Sequence, residues 1–159
     1  MSFYSKEKIS RKSLKTTFSE KVFQQIGALC YKKRGNKISI LLISSRRSRR
    51  WVIPKGWKLD KFNSRKSAAL EAWEEAGVQG RVSNRSVGEY FYRKKKAEDS
   101  FFTCRVKVFS LEVMKMKKNF PETNQRKQIW VNPAKAVTLV MEPELKALVK
   151  KFHRKIKEN

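Results

Sequence analysis

Hydrophobic positions in the first third of the chain fall into short runs of the kind that form β-strands. Residues 22–31 (VFQQIGALCY) and 38–43 (ISILLI) are rich in aliphatic and aromatic side chains. Gly35 and Asn36 lie between the two runs and are a turn signal, so this segment predicts a β-hairpin. A basic loop (SSRRSRR) and a short third strand over residues 51–53 follow.

The next segment has the composition and end signals of an α-helix. The helix is expected to begin near Asn63 or Ser64, because either side chain can accept a hydrogen bond at a helix N-terminus. It continues through SRKSAALEAWEEA and ends before Gly77, a residue suited to the left-handed conformation that follows many helices.

The second half returns to strand-type runs and then becomes helical. Residues 87–92, 101–113 and 129–131 are predicted strands, and Pro133 is expected to start a short helix through residue 140. A last helix is expected from Pro143, with apolar residues at helical spacing: Leu145, Leu148, Val149 and Phe152. This order predicts an α/β layered domain with a mixed sheet and a C-terminal helix.

The charge of the chain narrows the range of partners. The sequence has 159 residues, a length that favours one domain, and its 39 Lys and Arg residues outnumber its 14 Asp and Glu residues for a net charge of +25. Such a surplus attracts anions, which includes nucleic acid, polyphosphates and anionic membrane surfaces. The alternative is that the charge serves only solubility.

Composition also suggests boundaries and a compartment. We expect a basic N-terminal arm over residues 1–21, one domain over 22–153 and a basic tail over 154–159. Cys30 and Cys104 lie in apolar runs, as buried free thiols do, which favours a reducing compartment. No run approaches the ~18 apolar residues of a membrane span, and the N-terminus has no apolar signal core. A cytoplasmic location is therefore expected.

Three carboxylates on the predicted helix are the clearest chemical signal. Glu71, Glu74 and Glu75 occupy positions i, i+3 and i+4, which share one helix face. Like charges at these positions repel one another, and the negative end of the helix dipole disfavours them further. A divalent cation such as Mg²⁺, which prefers oxygen ligands, would remove the conflict. The alternative is a solvated acidic face, which is less apt in so basic a chain.

These residues resemble the box of the Nudix hydrolase family, G-x5-E-x7-R-E-U-x-E-E-x-G-U, where U is aliphatic. The matching positions are Gly56, Glu71, Ala72, Glu74, Glu75, Gly77 and Val78. Outside the box, further segments resemble the branch of the family that hydrolyses diphosphoinositol polyphosphates and diadenosine polyphosphates. These segments are LLISSRRSRRWVIPKG, GEYFYRKKK with FFTCRVKVF, and RKQIWV. The resemblance covers roughly residues 22–152.

The resemblance implies an α/β/α sandwich and a metal-dependent hydrolase that cleaves phosphoanhydride bonds in a polyphosphorylated substrate. Glu71, Glu74 and Glu75 would hold Mg²⁺ or Mn²⁺, and one of them would assist an attacking water. Phosphate contacts are implied at Ser44, Arg46, Lys55 and Gly56, with Lys95 and Arg126 as further basic candidates.

The chain departs from the box at two positions. The first Glu of the box is Phe62 here, and its Arg is Leu70. Because both members of an expected ion pair are replaced by apolar residues, we expect a structural substitution in which Phe62 and Leu70 touch across the loop–helix junction. The alternative is a degenerate, catalytically weak Nudix domain that binds nucleic acid or polyphosphate through its basic surface.

Overall fold

The computed structural model describes residues 21–158, so the predicted N-terminal arm lies outside the described residues except for Lys21. The strands are β1 (Val22–Arg34), β2 (Lys37–Ser44), β3 (Trp51–Val52), β4 (Lys55–Trp57), β5 (Val78–Val82), β6 (Gly88–Ala97), β7 (Ser100–Met116) and β8 (Gln128–Val131). The helices are α1 (Ser64–Ala76), α2 (Pro133–Leu139) and α3 (Pro143–Glu158).

The strands of the described region form one mixed sheet. Its main path runs β3-β2-β1-β7-β5, with β4 paired to β1, β6 to β7 and β8 to β2. Strands β1 and β7 are parallel, and the other pairs are antiparallel. The predicted hairpin is confirmed, because Arg34 pairs with Lys37 across a turn in which Gly35 adopts a φ of 59°.

Side chains alternate between two hydrophobic cores, one on each face of the sheet. Along β2, Leu41 and Ile43 pack into the core under α1, whereas Ile40 and Leu42 pack into the core under α2 and α3. This alternation follows from the two-residue repeat of a strand. The result is the predicted α/β/α sandwich, with α1 alone on one face and the C-terminal helices on the other.

Helix α1 lies close to the sheet because its buried stripe is made of small residues. Ala68, Ala72 and Ala76 are all fully buried at four-residue spacing. The Asn63 side chain accepts a hydrogen bond from the Lys66 amide, and Gly77 follows the helix in the left-handed conformation with a φ of 70°. Both predicted ends of the helix are confirmed.

The structure differs from the sequence-based expectation at several elements. Strands β4 and β5 were not expected, because each is short and is defined by pairing with a distant strand. Helix α3 continues through residues 154–158 of the expected basic tail, since Ile156 still packs against the core and its carbonyl accepts from Lys33 Nζ at 3.3 Å. Cys30 and Cys104 are buried and free, as predicted. Within residues 21–158, no helix is long and apolar enough to cross a membrane.

Candidate active site

The C-terminal half of α1 concentrates negative charge at the negative end of the helix dipole. Glu75 is buried, with 7% of its surface exposed, and Glu71 and Glu74 are half-buried. The helix has no acidic residue in its first turn and no basic residue in its last turn. This distribution is the reverse of what favours a helix, so the compensating charge must come from elsewhere.

Gly56 and Glu71 meet at the closest approach in the site. A β-carbon added at Gly56 would lie 2.2 Å from the carboxyl carbon of Glu71 and 2.2 Å from its Oε1. Strand β4 therefore passes directly against the Glu71 carboxylate, and only a residue without a side chain leaves room for it. This contact explains why the sequence has a glycine on β4 opposite a glutamate on α1.

Glu75 is held on two sides. Its Oε2 accepts a hydrogen bond from the backbone amide of Lys55 at 3.3 Å, and its Oε1 lies 3.2 Å from Nη2 of Arg126. The Arg126 side chain is itself 9% exposed, which makes this a largely buried ion pair. The same guanidinium nitrogen lies 3.4 Å from Oε1 of Glu122.

The segment between β7 and β8, which we call the β7–β8 loop (residues 117–127), closes the end of α1. The Lys117 amide donates to the Gly77 carbonyl at 2.9 Å, and the Glu122 amide donates to the Glu74 carbonyl at 3.0 Å. Next to the loop, Gln128 Nε2 donates to the Ala76 carbonyl at 3.0 Å. The loop thus satisfies carbonyls that a helix end leaves unpaired, and it carries Glu122 and Arg126 to the carboxylates.

Ser44 and Arg126, which the resemblance implies as phosphate contacts, lie where the β7–β8 loop meets β2. Ser44 is 2% exposed, and its hydroxyl accepts a hydrogen bond from the Lys127 amide at 2.9 Å. Arg126 donates to the Ser44 carbonyl at 3.3 Å as well as to the carboxylates. Both side chains therefore support the loop and the site from within, and their contact with a phosphate stays a prediction. The buried Nε of Arg126 has no hydrogen-bond partner within residues 21–158.

Burial and mutual repulsion make the charged form of these carboxylates unfavourable. Desolvation raises the pKa of Glu71 to about 7, and the neighbouring charges of Glu75, Glu74 and Glu122 add to the increase. Desolvation also raises the pKa of Glu75 to about 7, although Arg126 and Lys55 oppose that increase. Four acids are thus close enough to repel one another inside a partly dehydrated site.

Lys55 and Arg46 bring positive charge to the rim of this cluster. The Lys55 ammonium lies 5.0 Å from the centre of the Tyr92 ring, and burial lowers its pKa to about 8 despite the opposing charge of Glu75. Arg46 is exposed, and its Nη1 lies 3.1 Å from Gln125 Oε1 and 3.5 Å from Glu122 Oε1. Lys95 is exposed on β6 in register with Phe101, and within residues 21–158 no contact joins it to the carboxylates.

The atoms available for metal binding at this site are of the type that a hard divalent cation prefers. They are carboxylate oxygens on Glu71, Glu74 and Glu75, and the carboxylate of Glu71 is cradled by Gly56, where a β-carbon would clash. Among the described residues, no three acidic, histidine or cysteine side chains already converge into a closed metal cluster. Mg²⁺ does not require one, because it commonly binds to one or two carboxylates and completes its shell with substrate phosphates and water.

Sequence reasoning did not identify Glu122 as part of the site. The signal was present, because Glu122 is the only acidic residue between Glu112 and Glu142 in a strongly basic segment. Its proximity to Glu75 and Arg126 depends on the docking of the β7–β8 loop, which no local pattern encodes.

Phe62 lies just before α1, and Leu70 lies in the middle of α1 directly before Glu71 in sequence. They line one shallow apolar depression together with Lys66 and Ala69. Phe62 is 38% exposed and Leu70 is half-buried. The two substitutions therefore lie on a partly hydrated surface, and direct contact between the two side chains stays a prediction.

Comparison with known proteins identifies the family. No protein-family model matches the chain. Nudix hydrolase 16, mitochondrial, of Arabidopsis thaliana is 34% identical over 129 residues, which cover 78% of this chain and 71% of that protein. The chain belongs to the Nudix hydrolase family. Family membership supports an assignment as a phosphoanhydride hydrolase.

Other Nudix relatives are longer than this chain. Nudix hydrolase 13, mitochondrial, of the same plant is 30% identical over 128 residues, and the chain spans 63% of its length. Nudix hydrolase 12, mitochondrial, is 28% identical over 122 residues, and the chain spans 60% of it. The names of these relatives refer to mitochondria, and the cytoplasmic location expected for this chain stays a prediction.

Solved structures agree with the Nudix fold. A Caenorhabditis elegans Ap4A hydrolase in a binary complex superposes with a TM-score of 0.65 at 20% identity, covering 87% of this chain and 100% of that one. The Nudix domain of Shewanella oneidensis NrtR, solved with ADP ribose, superposes with a TM-score of 0.63 at 9% identity, covering 86% of this chain and 90% of that one. At such low identity, these structures show the fold alone.

Proposed function

We propose that this Nudix domain is a metal-dependent hydrolase that cleaves a phosphoanhydride bond in a compact polyphosphorylated substrate. One observation carries the proposal. Glu71, Glu74 and Glu75 are retained on a well-capped helix, at the cost of burial and repulsion, with Glu71 directly against Gly56. A fold that only had to be stable would gain from replacing such a cluster.

The carboxylates of Glu71, Glu74 and Glu75 would hold Mg²⁺ or Mn²⁺. When bound, a divalent cation supplies charge neutralisation at the phosphoryl oxygens. Arg126 and the Lys55 amide fix the orientation of Glu75, which keeps its carboxylate aimed into the site. Neither Glu71 nor Glu74 forms an ion pair within residues 21–158. Of these two, Glu71 has its pKa raised to about 7 by desolvation, which suits a group that takes a proton from the attacking water.

Arg46 and Lys55 would contact the phosphates, because both present positive charge beside the carboxylates. Arg suits bidentate contacts with phosphate, and Lys acts as a point charge. The substrates that we favour are diphosphoinositol polyphosphates and dinucleoside polyphosphates, followed by 5′-phosphorylated RNA ends and nucleotide sugars. One structural neighbour is an Ap4A hydrolase, which supports the second of these classes.

A hydrolysis screen tests the proposal directly. The full-length protein is incubated with a panel of these polyphosphates, with Mg²⁺, with Mn²⁺ or with a chelator, and phosphate or nucleotide release is measured. We expect turnover only with metal, and a loss of ~10²-fold or more in Glu75→Gln. Glu144→Gln, in the first turn of α3, is the matched control and should retain full turnover.

A second candidate is a domain that binds polyphosphate without efficient turnover. Phe62 and Leu70 favour it, as does the ion pair that already engages Glu75 with Arg126. Tight binding of the panel without metal-dependent release of products would support this candidate. If Glu71→Gln and Glu75→Gln both leave metal-dependent turnover intact, the assignment of the site is wrong.

A further inference from the structure

A group of aromatic rings lies on the surface at the start of the loop between β4 and α1, which we call the box loop (residues 58–63). The hydrolytic mechanism proposed above assigns no role to these rings. Phe23, Trp57 and Phe102 form this group, which we call the aromatic patch. Trp57 and Phe102 are stacked, with ring centres 6.0 Å apart and planes 22° apart. Phe23 meets both rings edge-on, at 5.0 Å from Phe102 and 6.0 Å from Trp57.

The aromatic patch remains accessible and carries positive charge. Phe23 and Trp57 are each 43% exposed, although rings of this size are usually largely buried. The Lys94 ammonium lies 5.1 Å from the centre of the Trp57 ring. An exposed ring face with a cation beside it can stack on a flat base and neutralise the phosphate attached to that base.

Strand geometry places the patch on the face of the sheet opposite to α1, with β4 between the patch and the carboxylates. Trp57 lies two residues after Lys55 on β4, and Lys94 lies two residues after Tyr92 on β6, so each pair shares one face of the sheet. Lys55 is stacked over Tyr92, and its backbone amide binds Glu75. A ligand on the patch would therefore lie across β4 from the Glu71 carboxylate, which faces Gly56 on the α1 side of the sheet.

We propose that the aromatic patch binds single-stranded nucleic acid, with bases stacked on Trp57 and Phe102 and the backbone beside Lys94. The net charge of +25 favours a polyanion and opposes a second copy of this chain. A single strand is required because a duplex buries the faces of its bases. The proposal does not depend on turnover.

An anionic membrane is the main competing partner, since aromatic and basic side chains also occur at membrane surfaces. The arrangement disfavours it. Glu98 and Asp99 form the tip of the β6–β7 hairpin next to the patch, where negative charge would meet the lipid first. A strand of nucleic acid can cross the flat of the sheet without contacting this tip.

Binding of a 3′-labelled, 5′-hydroxyl RNA of about 12 nucleotides, a length within the usual range for such sites, tests the proposal. The full-length protein is used with a chelator, so that neither a phosphoanhydride bond nor catalysis is involved. We expect Trp57→Ala to raise the Kd about 10-fold or more, since one stacked base contributes that much. Trp57→Tyr should restore most of the affinity.

Phe101→Ala is the matched control, because Phe101 is 44% exposed on the same hairpin but alternates to the other face from Phe102. It should leave the Kd within about 2-fold, a margin small beside the loss of one stacked base. Lys94→Ala should lower the salt dependence of binding by about one ionic contact. Thermal melting of each variant checks that it is folded, and the exposure of Trp57 and Lys94 makes loss of folding in their variants unexpected.

Several results would overturn the proposal. An unchanged Kd in Trp57→Ala would mean that charge alone drives binding, and equal loss in Trp57→Ala and Phe101→Ala would mean that the loss is not specific to the patch. Equal affinity for a duplex of the same sequence would exclude base stacking. Tighter, Trp57-dependent binding to phosphatidylserine vesicles would assign the patch to a membrane. An absence of RNA binding by the full chain would refute the proposal. Loss of catalysis in Glu75→Gln with RNA binding retained would separate this proposal from the hydrolytic one.

Discussion

At the scale of single residues, the site depends on one close steric contact at Glu71 and on hydrogen-bonded partners that hold Glu75. Glu71 fits because Gly56 has no side chain, and Glu75 stays in place because Arg126 and the Lys55 amide approach it from different sides. Glu122 gives Arg126 a second carboxylate partner. Small changes at these positions should therefore alter chemistry more than they alter the fold.

Gly56→Ala should displace the Glu71 carboxylate, since the new methyl group would lie 2.2 Å from its carboxyl carbon. We expect turnover to fall by about 10-fold or more, because misplacement of about 1 Å can cost up to ~10²-fold. Steady-state hydrolysis measures this effect. Gly35→Ala is the control, because open space surrounds that left-handed position. It should lower stability by about 1–2 kcal/mol and leave turnover unchanged. Equal turnover in Gly56→Ala and the wild type would argue against a role for Glu71.

At the scale of elements, α1 positions the carboxylates, and its two ends are stabilised by different contacts. Asn63 caps its N-terminus, whereas the β7–β8 loop takes over the carbonyls at its C-terminus. The alanine stripe then sets its distance from the sheet. The carboxylates are positioned by the helix as a whole, so the caps matter for function as well as for stability.

Asn63→Ala should lower the free energy of unfolding by about 1 kcal/mol, because the Lys66 amide loses its side-chain acceptor at 2.9 Å. Asn63→Ser should retain most of the stability, since a serine hydroxyl can replace the acceptor. Denaturant unfolding compares the three proteins. Asn132→Ala removes the equivalent cap from α2 and serves as a matched control for a cap far from the carboxylates. An unchanged midpoint in Asn63→Ala would exclude a capping role.

The two departures from the box also belong to the scale of elements, because Phe62 lies in the loop before α1 and Leu70 lies on α1. If they form a structural pair, Phe62→Glu should destabilise the protein, and adding Leu70→Arg should recover most of the loss. The exposure of Phe62 limits the expected coupling to about 0.5–1 kcal/mol, below the cost of a stranded buried charge. A double-mutant cycle followed by thermal unfolding measures it. Additive effects would refute the paired-substitution account and favour a degenerate enzyme.

At the scale of the whole molecule, the dominant property is the surplus of positive charge around a small acidic site. A net charge of +25 creates a field that attracts polyanions from a distance. The carboxylates of Glu71, Glu74, Glu75 and Glu122 create a local negative potential that such a substrate must overcome with metal. Capture and chemistry are therefore separable by experiment.

Capture should weaken as salt rises, because the Debye length falls from about 30 Å at 0.01 M to about 8 Å at 0.15 M. We expect kcat/KM to decrease over this range while kcat changes little. Arg46→Ala should raise KM further, whereas Arg81→Ala removes the same charge from β5, where Arg81 pairs with Glu112, and should affect only the long-range field. Salt-independent kcat/KM would exclude electrostatic steering.

The sequence alone determined the elements whose signals are local. The hairpin at Gly35, the span and caps of α1, and the shared face of Glu71, Glu74 and Glu75 follow from turn residues, capping chemistry and helical spacing, which act over a few residues. The spaced residues of the box also sufficed to indicate the family, because they constrain one loop and one helix.

Only the tertiary structure decided the features that depend on distant pairing. Strands β4 and β5 exist because β1 and β7 offer them hydrogen bonds, and residues 154–158 stay helical because Ile156 reaches the core. Arg126 and Glu122 meet Glu75 across about 50 residues of chain through the docked β7–β8 loop, and Phe23, Trp57 and Phe102 come from three strands. These contacts have no local signal, since the free energy that fixes them comes from packing the whole sandwich.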